Sequence, residues 1–132
     1  MNAKDLMQSH LTTIREDATI EQLCDVLQTA HVNGVPVVNE GGELVGIVSE
    51  EDVLFGAMGA ASAGPGGSGA TVAEIMTSPA VCATPDTDIV ELCRMMWGMR
   101  IHHVPVVDEG RLLGIVSSLD LVRAVAEGTL KP

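Results

Sequence analysis

The sequence predicts an α+β fold built twice from one helix–strand–strand–helix pattern. Three observations carry that expectation. The chain repeats itself along most of its length. Its apolar residues switch between helical and strand spacing at matching places in both copies. Each copy also closes on the same strand-to-helix signal, Gly-Ile-Val-Ser with an Asp three residues after the Ser: Gly46–Asp52 and Gly114–Asp120.

The repeat is read by shifting the chain against itself. At a shift of 69, Met7 meets Met76, Asp17 meets Asp86, Ile20 meets Ile89, Leu23-Cys24 meets Leu92-Cys93, and Val35-Pro36-Val37-Val38 meets Val104-Pro105-Val106-Val107. The first copy has one extra residue after Gly41, so from Leu44 and Leu112 onward the shift is 68. A hairpin turn is where one added residue disturbs least.

Each copy opens with a short helical turn ending in Met (residues 3–7 and 72–76) and a brief extended stretch (12–14 and 80–82). Residues 19–31 then place Ile20, Leu23, Cys24, Leu27 and Ala30 at helical spacing, and 87–100 do the same with Ile89, Leu92, Cys93, Met96 and Met99. Asp17 and Asp86 stand just ahead, where caps belong. Residues 35–39 and 104–108 read as strands, Asn39-Glu40-Gly41-Gly42 and Asp108-Glu109-Gly110 as turns, and 43–48 and 112–116 as returning strands. The last helices start near Ser49 and Ser117 and run to about Met58 and Glu127, with Gly128 as a stop. The chain divides into repeat 1 (1–57), a Gly/Ala-rich linker (58–71), repeat 2 (72–128) and a tail (129–132). The linker contains Gly64-x-Gly66-x-x-Gly69, a formal dinucleotide fingerprint. No strand precedes it and Pro65 interrupts it, so it reads as spacer.

Composition narrows the function. With 46% hydrophobic residues in 132, the chain can build a core without disulfides, and with Phe55 and Trp97 as its only aromatics that core is aliphatic. A net charge of −11 disfavours wrapping nucleic acid or binding anionic membranes, both of which need clustered cations. The charge is uneven: residues 1–57 hold 10 acids and 2 bases, whereas 72–132 hold 8 acids and 5 bases. An anion site should therefore draw on the second half. Three cysteines without CxxC spacing point to a reduced, cytoplasmic setting. Cys24, Cys82 and Cys93 read as small core residues. There is no signal-peptide pattern and no apolar run of membrane-spanning length. Met95, Met96 and Met99 with Trp97 read as core or as a dimer face. His102 and His103, adjacent on the approach to a strand, point to opposite faces and have no third ligand nearby, so no metal site is assigned. No nucleophile–base pair and no close carboxylate pair is present, so no enzyme activity and no required cofactor is expected.

Two helix–strand–strand–helix copies, with Val-Pro-Val-Val followed by Asn or Asp in one strand and Gly-Ile-Val-Ser-x-x-Asp closing the next, resemble a tandem pair of CBS domains, a Bateman module standing alone. The resemblance covers nearly the whole chain. It implies two repeats of β-α-β-β-α type, related by pseudo-twofold symmetry and packed sheet to sheet. It also implies an adenosine-type ligand (AMP, ADP or ATP, sometimes S-adenosylmethionine or a dinucleotide), dimerisation and an unknown partner protein. In the family the motif Asp accepts hydrogen bonds from ribose hydroxyls and the Ser or Thr contacts phosphate. Carried over by position, one site holds Asp120, Ser117, Ile115, His102 and His103, with Thr13, Val32 and Asn33 on the adenine side. The other holds Asp52, Ser49 and Ile47, with Thr77, Val81, Cys82 and Ile101. The family often has Thr after the repeat-opening Met; Thr77 fits and Gln8 departs. Asn33 and Gly34 stand where the other site has the two histidines, and Glu50 and Glu51 crowd the first helix start, so the Asp120 site is expected to be preferred. Each Ser and Asp is equally well placed to cap a helix. A ligand-independent assembly module is therefore the alternative to a regulatory nucleotide-binding one.

Overall fold

The computed structural model describes residues 1–63 and 70–129, with side chains left aside at 57–63. In chain order its elements are α1 (Ala3–Leu6), β1 (Ile14–Arg15), α2 (Ile20–Ala30), β2 (Gly34–Val38), β3 (Leu44–Ser49), α3 (Glu50–Ala63), α4 (Val72–Ile75), α5 (Ile89–Met99), β4 (His103–Asp108), β5 (Arg111–Ser117) and α6 (Ser118–Ala126). The expected α+β duplication is present. The extended stretch of the second copy makes a single bridge, Ala83 to Val106, where the first makes β1. Among the described residues no helix is long and apolar enough to cross a membrane.

These elements form two units, and neither is one sequence repeat. One comprises Thr12–Ala80; the other joins Met1–Leu11 to Val81–Pro132. The opening segments are therefore exchanged, with α1 in the unit of the second hairpin and α4 in the unit of the first.

In the Thr12–Ala80 unit, β1 runs parallel to β2 and β2 antiparallel to β3. Strand alternation buries Val35, Val37 and Val48 on one face, and Leu23 from α2 and Val72 from α4 close over them. Val72 is tied in by its own N–H to the Ala18 carbonyl at 2.9 Å. The other unit repeats the scheme with β4 and β5: Val104, Val106 and Val116 meet Leu92 and Met96 of α5, Ala124 of α6, and Ala3 and Leu6 of α1. Burying a Leu or Val side chain contributes roughly 1.5–3 kcal/mol, so the matched pairs Leu23/Leu92 and Val48/Val116 carry much of each core.

The glycine of each Gly-Ile-Val-Ser run has a packing reason. A Cβ on Gly46 would lie 2.7 Å from the Thr77 carbonyl oxygen and 2.8 Å from Met76 Sδ. A Cβ on Gly114 would lie 2.8 Å from the Gln8 carbonyl oxygen and 2.7 Å from Met7 Sδ. The exchanged segments press against β3 and β5 there, and only a glycine admits them.

Several local expectations are corrected. The caps of the long helices are Thr19, whose hydroxyl accepts from the Gln22 N–H at 3.1 Å, and Asp88, whose carboxylate accepts from the Val90 N–H at 3.0 Å. Asp17 and Asp86 lie two residues too early and pair instead with Arg15 and Lys4. Helix α3 continues to Ala63, into the stretch read as linker, in keeping with the high helix propensity of its alanines. Gly64, Gly66 and Gly69 lie outside the described residues. All three cysteines are exposed. Cys24 and Cys93 sit one residue past Leu23 and Leu92, about 100° round the helix from the buried line. Cys82 sits one residue before buried Ala83. Trp97 and Met99 are likewise exposed, whereas Leu92 and Met96 are core.

Candidate functional site

The two strand-to-helix junctions are built alike. In β5, Gly114 and Val116 face the core, so Ile115 and Ser117 share the opposite face. The antiparallel register sets His103 beside Ser117 and Pro105 beside Ile115, which brings His103 to that same face. His102 lies just before β4, exposed, and its carbonyl accepts the Ser118 N–H at 2.9 Å. In β3, Ile47 and Ser49 occupy the corresponding face, with Gly34 beside Ser49 where the other unit has His103. The Asn33 carbonyl accepts the Glu50 N–H at 2.9 Å. One N–H at each helix start is thus already satisfied by the residue that leads into the neighbouring strand, β2 or β4.

At both junctions the aspartate turns back onto the serine. The Ser117 N–H and hydroxyl donate to Asp120 Oδ2 at 2.8 and 3.1 Å; the Ser49 N–H and hydroxyl donate to Asp52 Oδ2 at 2.8 and 3.2 Å. At the second junction the Ser117 hydroxyl also accepts the Asp120 N–H at 3.3 Å, completing a capping box.

The remaining carboxylate oxygens differ. Asp120 is 5% exposed, and its Oδ1 accepts from Gln8 Nε2 at 3.0 Å and Arg123 Nη2 at 3.3 Å. Asp52 is half-buried, and its Oδ1 has no hydrogen-bond partner among the described residues. The repeat explains the contrast. Thr77 stands in place of Gln8 and has no amide to donate, and Phe55, with no side-chain donor, stands in place of Arg123. Glu50 and Glu51 add negative charge at the first junction, whereas Arg123 brings a positive charge to the second.

Residues assigned to the sites from sequence are distributed as follows. Asp120, Ser117, Ile115, His102 and His103 fall in one unit, together with Val81, Cys82 and Ile101. Asp52, Ser49, Ile47 and Thr77 fall in the other, together with Thr13, Val32 and Asn33. Thr77 pairs with Ile47 through both backbone bonds, at 2.9 and 3.0 Å. Thr13 lines an open surface depression with Arg15, Asp17, Gln22 and Asp25. Val32 and Asn33 are exposed; Val81 is half-buried, and Ile101 packs against the core of its unit. Cys82, though exposed, has its thiol pushed up by partial burial, which disfavours the thiolate. The residue that sequence reasoning passed over is Arg123. Its signal was available: a cation three residues past the motif Asp faces it on a helix. Among the described residues no group of three or more His, Cys, Asp or Glu is arranged to hold a metal ion.

A duplicated α+β unit with this motif at each junction defines a class. The family model for the CBS domain matches residues 3–59 and 72–127. The chain belongs to the CBS-domain family and carries two copies. It is similar to the CBS domain pair of protein MJ0100, solved in complex with 5′-methylthioadenosine and S-adenosyl-L-methionine: TM-score 0.84 and 29% identity, covering 97% of this chain and 98% of that one. It is 28% identical to the CBS domain-containing protein YhcV of Bacillus subtilis, over 91% of this chain and 82% of that protein. Other relatives are much longer. The chain spans 41% of a Methanocaldococcus jannaschii protein, at 27% identity over 91% of this chain. It spans 23% of homoserine O-acetyltransferase of Methanococcoides burtonii, at 36% identity over 92% of this chain.

Proposed function

We propose that the chain is a non-catalytic regulatory module that binds an adenosine-type ligand and thereby modulates a partner protein or its own dimer, in a reducing cytoplasm. The observation that carries this reading is the duplicated junction. In both copies a serine hydroxyl and an aspartate are fixed at a helix start by the same Ser N–H to Asp Oδ2 bond of 2.8 Å. The remaining oxygen suits a vicinal diol, directly at Asp52 and by exchange with the Gln8 and Arg123 donors at Asp120. The serine and the positive end of the helix dipole suit a phosphate. Support from outside the chain comes from the MJ0100 domain pair, which is 29% identical and holds two adenosyl compounds. The cation balance ranks the stations for anionic ligands: AMP, ADP and ATP favour Asp120, with Ser117, His102 and His103 toward the phosphate. Asp52, beside Glu50 and Glu51, favours uncharged or cationic adenosyl ligands. Regulation requires that the ligand bind one arrangement of the protein better than another.

A thermal-shift panel of AMP, ADP, ATP, 5′-methylthioadenosine and S-adenosylmethionine tests the reading. A ligand that binds only the folded state at 100 times its Kd stabilises it by about 2.7 kcal/mol, so at least one compound should raise Tm by several degrees. A flat response to the whole panel would refute it.

A second reading, assembly without ligand, is favoured by one observation. Trp97 is 87% exposed, Phe55 71%, Leu119 65% and Val122 60%, large apolar side chains of the kind an interface would cover. The two readings are compatible if the dimer is what the ligand controls.

A further inference from the structure

One replacement separates the two junctions more than any other: Gln8 stands where the repeat puts Thr77. Its backbone is pinned to β5 by a two-way bridge, Gln8 N–H to the Ile115 carbonyl at 2.8 Å and Ile115 N–H to the Gln8 carbonyl at 3.2 Å. Met7 and the Gln8 carbonyl also press on Gly114. The side chain therefore starts from a fixed point and delivers its amide to Asp120 Oδ1 at 3.0 Å. With Arg123 on the same oxygen and Ser117 on the other, four donors meet a carboxylate that offers about four lone-pair sites. Among the described residues Asp52 holds only Ser49. The two donors on Asp120 Oδ1 differ in how easily they leave. Arg123 is long and half-exposed and can swing into solvent, whereas Gln8 is anchored through its backbone.

We propose that Gln8 is an internal competitor for the Asp120 carboxylate, taking the place of a ligand's ribose hydroxyls and so setting the affinity and the concentration threshold of that station. The proposal rests on the reading that Asp120 accepts a vicinal diol. A diol donates two hydrogen bonds: Arg123 swinging away frees one site on Oδ1, and the second comes only by displacing the Gln8 amide, so part of the ligand's hydrogen-bond energy is offset by the bond it breaks. At the Asp52 station no such exchange is required. In this respect the protein carries one masked and one open carboxylate on the same design. Gln8 acts through Asp120, as a positioning and threshold residue, and the ligand need not touch it.

The test is calorimetry with AMP on wild type, Gln8→Thr and Gln8→Ala, each also combined with Asp120→Asn. Gln8→Thr copies the other repeat and Gln8→Ala removes the donor without adding a hydroxyl; both keep the backbone bridge. The expected result is a roughly tenfold tighter AMP affinity in both Gln8 variants, the worth of one hydrogen bond to a charged group. The apo Tm should fall slightly, because Asp120 loses a partner. The gain should disappear in the Asp120→Asn background and be much smaller with 2′-deoxy-AMP, which lacks the diol. A lower Tm with unchanged AMP affinity would show Gln8 to be a structural contact only and overturn the proposal. A gain that survives Asp120→Asn would overturn it equally. If none of the proteins binds AMP, the Gln8 proposal falls together with AMP recognition at Asp120; if wild type binds and the Gln8 variants match it, the Gln8 proposal falls alone.

Discussion

Ser117 caps a helix where a phosphate contact is also proposed, and stability can be measured apart from binding. As a capping residue, Ser117 closes a full box with Asp120, and losing such a cap costs about 1 kcal/mol. Ser117→Ala should therefore lower Tm by a few degrees in any ligand-free buffer. If Ser117 also meets phosphate, the same variant should weaken AMP more than adenosine. Equal weakening of the two would reduce the serine to a cap. Cys82 supplies a pH-dependent prediction. Partial burial disfavours its thiolate, so a raised pKa leaves the thiol protonated at neutral pH and alkylation accelerates only at higher pH. The pH midpoint for its reaction with iodoacetamide, followed in a Cys24→Ser, Cys93→Ser background, should lie above that of an unstructured cysteine. A midpoint at or below that value would contradict the burial.

Among the elements, β3 and β5 decide most, because each bears a core face, a face carrying the motif Ile and Ser, and the edge where an exchanged segment docks. Gly46 and Gly114 sit at that edge, where an added Cβ would come within 2.7–2.8 Å of a carbonyl oxygen and a methionine sulfur. Backbone atoms cannot step aside as a side-chain tip can. Gly46→Ala and Gly114→Ala should each destabilise by roughly 1–3 kcal/mol, within the usual range for overpacking, and urea denaturation would measure it. A neutral result would mean that the opening segments are held more loosely than the bridges Gln8–Ile115 and Thr77–Ile47 indicate. The helices were readable in sequence wherever an apolar stripe set their buried face: Leu23 and Leu92 fall where the period puts them. Their caps were less so, because Asp17, Thr19, Asp86 and Asp88 are all competent and only backbone geometry chooses among them. For the same reason Cys24 and Cys93 were misplaced: a small apolar residue at the margin of a stripe falls on either side with a slight rotation.

For the molecule as a whole, duplication made the fold legible. Matched core residues recur at a constant offset, and the exchange of opening segments did not break that match. The exchange itself was not legible, since Ala3 and Val72 are equivalent in sequence and nothing local states which hairpin each will cover. The contact between Gln8 and Asp120 spans 112 positions and was beyond any local pattern, although the departure of Gln8 from Thr77 was visible. The motif serines and aspartates were found from sequence; their roles toward a ligand are proposals. Exposed Trp97 carries the assembly reading: on α5, Val90 and Trp97 lie two turns apart on one outward face. Sedimentation should show a dimer that Trp97→Ser weakens, and a monomeric wild type at tens of micromolar would contradict self-association through that face.

The central claim is that Asp120 recognises the ribose of an adenosine ligand. The most direct measurement is calorimetric titration of AMP into wild type, Asp120→Asn and Asp52→Asn, repeated with 2′-deoxy-AMP. Saturable AMP binding is expected, largely lost in Asp120→Asn, reduced less in Asp52→Asn, and markedly weaker for the deoxy compound in wild type. AMP affinity indifferent to Asp120, or equal for the two nucleotides, would contradict it.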